Sequence, residues 1–297
     1  MKNDIFNFSR FGKYFGSDLK GCWSNYGLSF ITVTILPMVL IYLLVGATGA
    51  LGGLVWDGPD MGFRAFAAIV AMICLVVTMP VKCYGRITEK QYGSFWLNLP
   101  ASRLEKFLSM FIITCIIVPV LGAAIIFGVD GLICALDATC GNSLWHGIQS
   151  FSFNLIDLNF DIHDYVTNAE DVAAADMILS TIEQMEKTLS SRWLYIDDFF
   201  AFTLPFLAGA VWFKSGKTVK TIIALFVFST ACGIIATPFM TSWIKGFFSV
   251  NNDIEAIRLL IESGMIKNLA LMDTISDTFT NLVFIACIWF RIKTLKH

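Results

Sequence analysis

The stretch Glu89–Met110, EKQYGSFWLNLPASRLEKFLSM, decides how the rest of the chain is interpreted. It combines charged residues, aromatic residues and a Leu-Pro pair, and it separates two continuously apolar segments. Apolar segments of about 20 residues cross membranes as helices, because that length spans the hydrocarbon core. We therefore expect Glu89–Met110 to lie in water between two membrane spans and to act as a hinge and docking element.

The composition of the whole chain favours a membrane protein. Of its 297 residues 56% are hydrophobic and only 15% are charged, and the mean hydropathy is +0.70. Soluble domains carry about a quarter charged residues, so the deficit indicates that lipid surrounds much of the chain. The N-terminal region has charges every few residues and no apolar core before Leu28, which predicts no cleavable signal peptide.

The apolar runs predict an all-α, polytopic membrane protein that forms a single transmembrane domain over residues 1–297. Six spans are expected, at about residues 28–45, 63–81, 107–129, 199–213, 221–240 and 276–290. Before the first span, aromatic residues alternate with cations, which predicts an amphipathic helix over residues 1–27 that lies along the membrane surface. A loose polar tail is the alternative for that segment.

Three polar regions separate the spans. We call residues 82–106 the connecting segment, because they join spans two and three. Residues 130–198 are rich in acidic residues and predict an extracytoplasmic loop, with an amphipathic helix over Ala169–Leu189. Asp253–Met272 predicts a second amphipathic helix, either at the surface or re-entrant, between spans five and six.

The distribution of basic residues predicts the orientation. With both termini in the cytoplasm, all but six of the 21 lysines and arginines lie on the inner side. The exceptions are Arg64, Lys187, Arg192, Lys245, Arg258 and Lys267. Because Lys and Arg next to spans stay in the cytoplasm, the sequence predicts an N-in, C-in protein whose connecting segment is cytoplasmic.

Catalytic and metal-binding motifs are missing from the sequence. It contains no H-E-x-x-H zinc motif and no G-x-S-x-G nucleophile elbow. Gly216-Lys217-Thr218 matches only the end of a phosphate-binding P-loop, since Val211 stands where that motif needs a glycine. We expect no enzymatic activity, no cofactor, no metal site and no nucleic-acid partner.

Charged residues are expected only at the ends of the spans, where their side chains can reach water. These residues are Arg64, Lys82, Asp130, Asp197 and Asp198. Ion-coupled carriers keep an acid or a histidine inside the bilayer, so this pattern indicates that any movement is driven from outside the membrane. Of the eight cysteines, only Cys134 and Cys140 lie close together in the outer loop, where a disulfide and two free thiols both fit the sequence.

The six-span pattern and the segment Tyr92–Met110, YGSFWLNLPASRLEKFLSM, resemble the membrane (permease) subunits of ABC-2 type transporters, especially permease-like proteins of Bacteroidetes. The similarity lies in a Leu-Pro-Ala-Ser motif followed by Glu-Lys-Phe, and in the basic turn Trp212–Thr221, WFKSGKTVKT. The outer loop at 130–198 is longer than exporters of this class need, so the resemblance does not indicate a substrate.

The resemblance implies that the connecting segment docks on a separate ATP-binding subunit. Phe95, Trp96 and Leu97 would then be apolar anchors, Pro100 would mark the break in the segment, and Arg103, Glu105 and Lys106 would form a polar rim. The alternative is that the three apolar residues rest on the bilayer while Pro100 starts a helix.

The family further implies a homodimer or heterodimer of membrane subunits in the bacterial cytoplasmic (inner) membrane, in contact with the lipid bilayer. A different class of function also fits the sequence. In that interpretation the chain is a non-transporting scaffold or sensor, and its extracytoplasmic loop binds a partner.

Overall fold

A computed structural model describes residues 6–51, 58–146, 192–248 and 265–295. These residues form eight α-helices: α1 Phe8–Leu51, α2 Met61–Tyr84, α3 Lys90–Asn98, α4 Arg103–Ile112, α5 Val118–Leu136, α6 Arg192–Trp212, α7 Lys217–Phe248 and α8 Met265–Thr294. Short 3-10 turns lie at Gly85–Thr88 and Ala138–Cys140, and a π turn at Ile113–Ile117 joins α4 to α5. No β-strand occurs in these ranges, which confirms the all-α prediction.

Among the described residues, five helical segments are long and apolar enough to cross a membrane: Phe8–Thr48, Met61–Thr88, Arg103–Leu136, Lys217–Ile234 and Ile275–Thr294. They contain four of the predicted spans completely and residues 221–234 of a further one, so the protein is membrane-embedded. The fourth predicted span, 199–213, falls almost entirely within α6, and α6 is not among the five segments. The number of six spans therefore stays a prediction.

Helix α1 differs from the sequence prediction at its N-terminal half. A separate surface helix over residues 1–27 was expected, but residues 8–27 continue without a break into the first span. The helix has 44 residues, which corresponds to about 66 Å of length. Because the hydrocarbon core is only about 30 Å thick, a large part of α1 lies outside it. Residues 1–5 lie outside the described ranges.

The predicted polar regions also have different boundaries in the structure. Residues 130–136 of the expected outer loop belong to α5, and residues 192–198 belong to α6. Residues 265–272, expected in a separate amphipathic helix, are continuous with the last span in α8. The predicted helix Ala169–Leu189 lies outside the described ranges, as does the first part of Asp253–Met272.

The chain divides into two compact units. Unit 1 comprises Met1–Ser150, Phe202–Ile222 and Val283–His297, and it holds α1 to α5 together with parts of the last three helices. Its core contains a cluster formed by Met38, Ala67, Ala71, Ile126 and Leu144. The small side chains of α2 let the neighbouring helices approach closely, as is typical of helix packing in membranes.

Two glycines mark the closest helix contacts in unit 1. A Cβ atom added to Gly122 of α5 would collide with the Leu75 side chain of α2. One added to Gly209 of α6 would lie 2.8 Å from Cβ of Thr221 in α7. The turn between α6 and α7 contains Gly216 with φ 58°, a left-handed conformation that glycine adopts without steric cost. These glycines allow the helices to pack and turn tightly.

The third predicted span contains a backbone irregularity in its N-terminal half. The π turn Ile113–Ile117 is followed directly by Val118 and by Pro119, which lacks a backbone N–H. Single π turns of this kind interrupt the regular hydrogen bonding of a helix and are frequent at functional sites. The third predicted span is therefore two α-helices joined by a π turn rather than one regular helix.

Unit 2 comprises Phe151–Ala201 and Ile223–Leu282. Within it, a polar contact joins α6 to α8. The side-chain nitrogen of Asn281 donates hydrogen bonds to the backbone carbonyl of Asp197, at 3.0 Å, and to its carboxylate, at 2.6 Å. The hydroxyl of Thr278 donates to the same carboxylate. Asp197 was expected to face water at a span end, but here it has protein partners.

Candidate functional site

The connecting segment folds as a short helix between two breaks. After α2 ends at Tyr84, the 3-10 turn leads into α3, and α4 begins at Arg103. Leu99 is extended, with φ −60° and ψ 138°, because the residue before a proline avoids the helical region. The helix therefore does not start at Pro100, as the alternative interpretation expected.

Ser102 begins α4 with a capping box. Its hydroxyl accepts from Glu105 N at 3.2 Å, while Glu105 Oε2 accepts from Ser102 N at 2.8 Å. This arrangement satisfies two backbone N–H groups that have no partner within the helix. The pattern Ser-x-x-Glu is visible in the sequence, so this start signal could have been recognised before the structure was known.

The seven predicted docking residues differ in their exposure. Phe95, Pro100 and Arg103 are exposed, and the Phe95 side chain has 64% of its surface accessible. Leu97 is half-buried. Trp96, Glu105 and Lys106 are 3%, 0% and 2% exposed. The structure thus places the expected anchor Trp96 and two of the three expected rim charges, Glu105 and Lys106, inside the protein, in contact with its own residues.

Lys106 fixes α3 against α4. Its Nζ donates hydrogen bonds to the carbonyl oxygens of Trp96, at 2.8 Å, and Leu97, at 3.0 Å. The same ammonium lies 5.1 Å from the centroid of the Trp96 ring. The last carbonyls of a helix have no partner within the helix, and a cation suits this end of the helix dipole. Lys106 therefore closes the C-terminal end of α3.

Glu105 joins the connecting segment to the start of α1. Arg10 Nε donates to Glu105 Oε2 at 2.8 Å, and Arg10 Nη2 donates to Oε1 at 2.8 Å. Asn7 N also donates to Oε1, at 2.9 Å. Paired hydrogen bonds between Arg and a carboxylate are short, strong and directional. This buried carboxylate therefore holds α1 and α4 in a fixed relation.

Asp18 provides a second connection to α1. Its Oδ2 accepts from the hydroxyl of Tyr84, at the end of α2, at 2.9 Å. It also accepts from the hydroxyl of Ser109, in α4, at 2.7 Å. One carboxylate oxygen of Asp18 thus joins the three helices α1, α2 and α4.

Two further cations connect the segment to the C-terminal helices. Lys217, at the start of α7, donates to Gly85 O and Thr88 Oγ1 in the 3-10 turn and to Phe213 O at 2.8 Å. Arg103 Nη1 donates to the backbone carbonyl of Lys293 near the end of α8. The connecting segment is therefore tied to α1, to the turn between α6 and α7, and to α8.

The contacts around the connecting segment hold parts of the chain in position and are not arranged to carry out a reaction. They consist of carboxylates and ammonium groups that bind backbone and hydroxyl groups of the same chain. Among the described residues no group of three or more His, Cys, Asp or Glu could hold a metal ion. The sequence did not indicate Arg10, Asp18 or Lys217 as partners of the connecting segment. Each of them lies more than 60 residues along the chain from the residues of this segment that it contacts.

The opposite end of unit 1 contains a buried ion pair. Arg64 Nη1 lies 2.8 Å from Asp130 Oδ1, and the two side chains are 3% and 0% exposed. Arg64 Nη2 also donates to the carbonyl oxygens of Cys140, at 2.9 Å, and Asn142, at 2.7 Å, while Asp130 Oδ2 accepts from Leu144 N at 2.6 Å. The expectation that both residues reach water was wrong, because they neutralise each other and hold the turn that follows α5.

Cys134 and Cys140 are both free thiols in this structure. Nη1 of Arg64 donates to the sulfur of Cys134 at 2.6 Å. Burial raises the pKa of the Cys140 thiol, which keeps it protonated at neutral pH. Of the two arrangements that fitted the sequence, the structure has the unbridged one.

No protein-family model, no curated protein and no solved structure matches this chain. The features of the molecule that bear on its function are the geometry of the connecting segment and the distribution of charge and apolar surface.

Proposed function

We propose that the chain is the permease-type membrane subunit of an ATP-driven transporter of the ABC-2 type. A separate ATP-binding subunit would dock on the connecting segment and supply the energy, since the chain lacks a complete P-loop. In this proposal the protein spans the bacterial inner membrane six times, with both termini in the cytoplasm. It works as a homodimer or as a heterodimer with a related membrane subunit.

The network of contacts around the connecting segment is the observation that carries this proposal. Glu105, Lys217 and Arg103 join the segment to three separate parts of unit 1 through charge-assisted hydrogen bonds. A force applied to the segment would therefore act on α1, α7 and α8 together. A segment that only rested on the bilayer would have no need of these connections.

The exposed face of the segment provides the docking surface in this proposal. Phe95 is the apolar anchor, and Pro100 and Arg103 border it. Aromatic and arginine side chains are enriched at interface hot spots. Trp96, Glu105 and Lys106 then act inside the chain, where they keep the docking face attached to the membrane helices.

The π turn at Ile113–Ile117 gives the third span a place to bend. A displacement of the connecting segment would move α4 as a rigid body, because Glu105 and Lys106 fix its first turn. The bend would be taken up at the π turn and at Pro119. Such a change would alter the access of a substrate from one side of the membrane to the other.

Association with the ATP-binding subunit tests the proposal. The chain is co-expressed with an ATPase encoded beside it and purified from detergent, and the amount of bound ATPase is measured. Phe95→Asp should reduce association at least tenfold, because a charge replaces the central anchor. Phe8→Asp is the matched control, since Phe8 is 82% exposed at the same end of unit 1 but outside the segment. Unchanged association in the Phe95 variant would contradict the proposal.

A further inference from the structure

Cations dominate the exposed surface at the end of unit 1 that carries the connecting segment. Eight exposed residues there are basic: Lys13, Lys20, Arg86, Lys90, Arg103, Lys214, Lys220 and Lys293. Among the described residues of this end only the carboxylate of Glu89 is exposed, and it lies 3.7 Å from Arg86. The carboxylates of Asp18 and Glu105 bind groups of the chain itself. Among the described residues, most of this positive charge is therefore not paired with an exposed carboxylate.

Three of the lysines lie next to exposed apolar residues on helices that are candidates to cross the membrane. Lys20 precedes Trp23, which is 52% exposed, Lys220 precedes Ile222, which is 50% exposed, and Lys293 follows Phe290, which is 60% exposed. Two or three residues correspond to about 3–5 Å along a helix. Each ammonium group thus lies at the boundary between exposed apolar residues and charged residues. Lysines at such a boundary are expected at the level of the lipid headgroups.

The ammonium groups of these three lysines have few partners in the described part of the chain, where that of Lys220 donates to Ser215 Oγ at 3.3 Å. Within the described ranges none of them forms a salt bridge. Lys106 and Lys217 differ, since their ammonium groups bind carbonyl and hydroxyl oxygens of the connecting segment. The basic residues of this end are therefore of two kinds, one bound to the connecting segment and one exposed at the surface.

We propose that Lys20, Lys220 and Lys293 bind the phosphate groups of anionic phospholipids in the leaflet next to the connecting segment. An acidic protein surface is a less suitable occupant, because the apolar residues beside these lysines would have to leave the lipid to reach it. Lys90 and Arg103, which border the exposed Phe95 on the connecting segment, remain for a protein partner. This lipid site does not depend on whether an ATP-binding subunit docks.

The association of spin-labelled lipids with the full chain tests this site. The protein is reconstituted into phosphatidylcholine vesicles that contain a trace of spin-labelled phosphatidylglycerol or phosphatidylcholine, and the motionally restricted fraction is measured. At low ionic strength we expect the anionic lipid to be preferred by about fivefold at each site. The triple variant Lys20→Gln, Lys220→Gln, Lys293→Gln should bring the two lipids close to equality.

The control is the double variant Lys13→Gln, Lys90→Gln, which removes two exposed cations of the same end but leaves the three lysines and their contacts in place. It should keep the full preference for the anionic lipid. Equal association of both lipids with the wild type would overturn the proposal, as would an equal loss of preference in the double and triple variants. Inorganic phosphate at matched ionic strength should not displace the lipid, and displacement would assign the site to free phosphate instead.

Discussion

At the scale of single residues, the protein contains ion pairs of two kinds, whose effects on stability should differ. The pair Arg64–Asp130 is almost fully buried, whereas Arg86 and Glu89 lie 3.7 Å apart with side chains 59% and 55% exposed. Removing one partner of a buried pair leaves a charge without compensation. An exposed pair adds little to the free energy of unfolding, because water and salt screen the attraction between its charges.

We expect Asp130→Asn to lower the free energy of unfolding by about 3–5 kcal/mol, since Arg64 stays charged and buried. Glu89→Gln should change it by less than about 1 kcal/mol. Thermal unfolding of the purified protein in detergent measures both. Similar shifts for the two variants would mean that Arg64 is hydrated in the membrane-embedded protein.

Lys106 should stabilise α3 locally rather than the whole chain. In Lys106→Met the carbonyl oxygens of Trp96 and Leu97 lose their donor, which should cost about 1–3 kcal/mol. Hydrogen–deuterium exchange should become faster in Lys90–Asn98 and stay unchanged in α5. Lys90→Met, at an exposed position of the same helix, is the control and should leave the exchange as it is. Unaltered exchange in the Lys106 variant would refute this role.

The sequence could predict some of these residue roles but not others. Ser102 and Glu105 are three residues apart, so their capping box is a local pattern. The pairing of Arg10 with Glu105 spans 95 positions, and no local rule connects them. Arg64 and Asp130 were misassigned because a charge near a span end is equally compatible with water and with a buried partner of opposite charge.

At the scale of helices, packing depends on where glycine permits close approach. Gly209 of α6 faces Thr221 of α7, whereas nothing lies within 4 Å of the Cβ position of Gly233. Gly209→Ala should therefore destabilise the protein by about 1–3 kcal/mol, because the added methyl group must displace a packed helix. Gly233→Ala should be neutral or slightly stabilising, since alanine favours helices over glycine. The two variants are compared by their thermal unfolding midpoints. A higher midpoint for Gly209→Ala than for the wild type would show that this helix contact is not maintained in the membrane.

The apolar cores of the helices were predictable, whereas their ends were not. Residues 28–45 and 63–81 lie inside α1 and α2, since a run of apolar residues is a strong signal of a span. The extension of α1 to Phe8 could not be read from hydropathy, because a polar segment can continue a helix when it packs on neighbours. The π turn in the third span was likewise not predicted, since one extra residue in a helical turn leaves no compositional mark.

At the scale of the whole molecule, the two ends of unit 1 are built differently. One end holds the connecting segment through contacts with α1, α7 and α8, and it exposes Phe95. At the other end, the pair Arg64–Asp130 fixes the turn that follows α5. The membrane character of the chain was predictable from composition alone. The separation between the buried residues of the contact network and the exposed Phe95 required the three-dimensional arrangement.

Site-specific photo-crosslinking in living cells tests the central claim most directly. A photoreactive phenylalanine analogue is placed at position 95 and, as a control, at position 66, where Phe66 is 59% exposed on a helix that can cross the membrane. We predict that position 95 forms a covalent adduct with a protein that carries a complete P-loop, and that position 66 does not. Adducts at position 95 that contain only lipid, as at position 66, would contradict a docking role for the connecting segment.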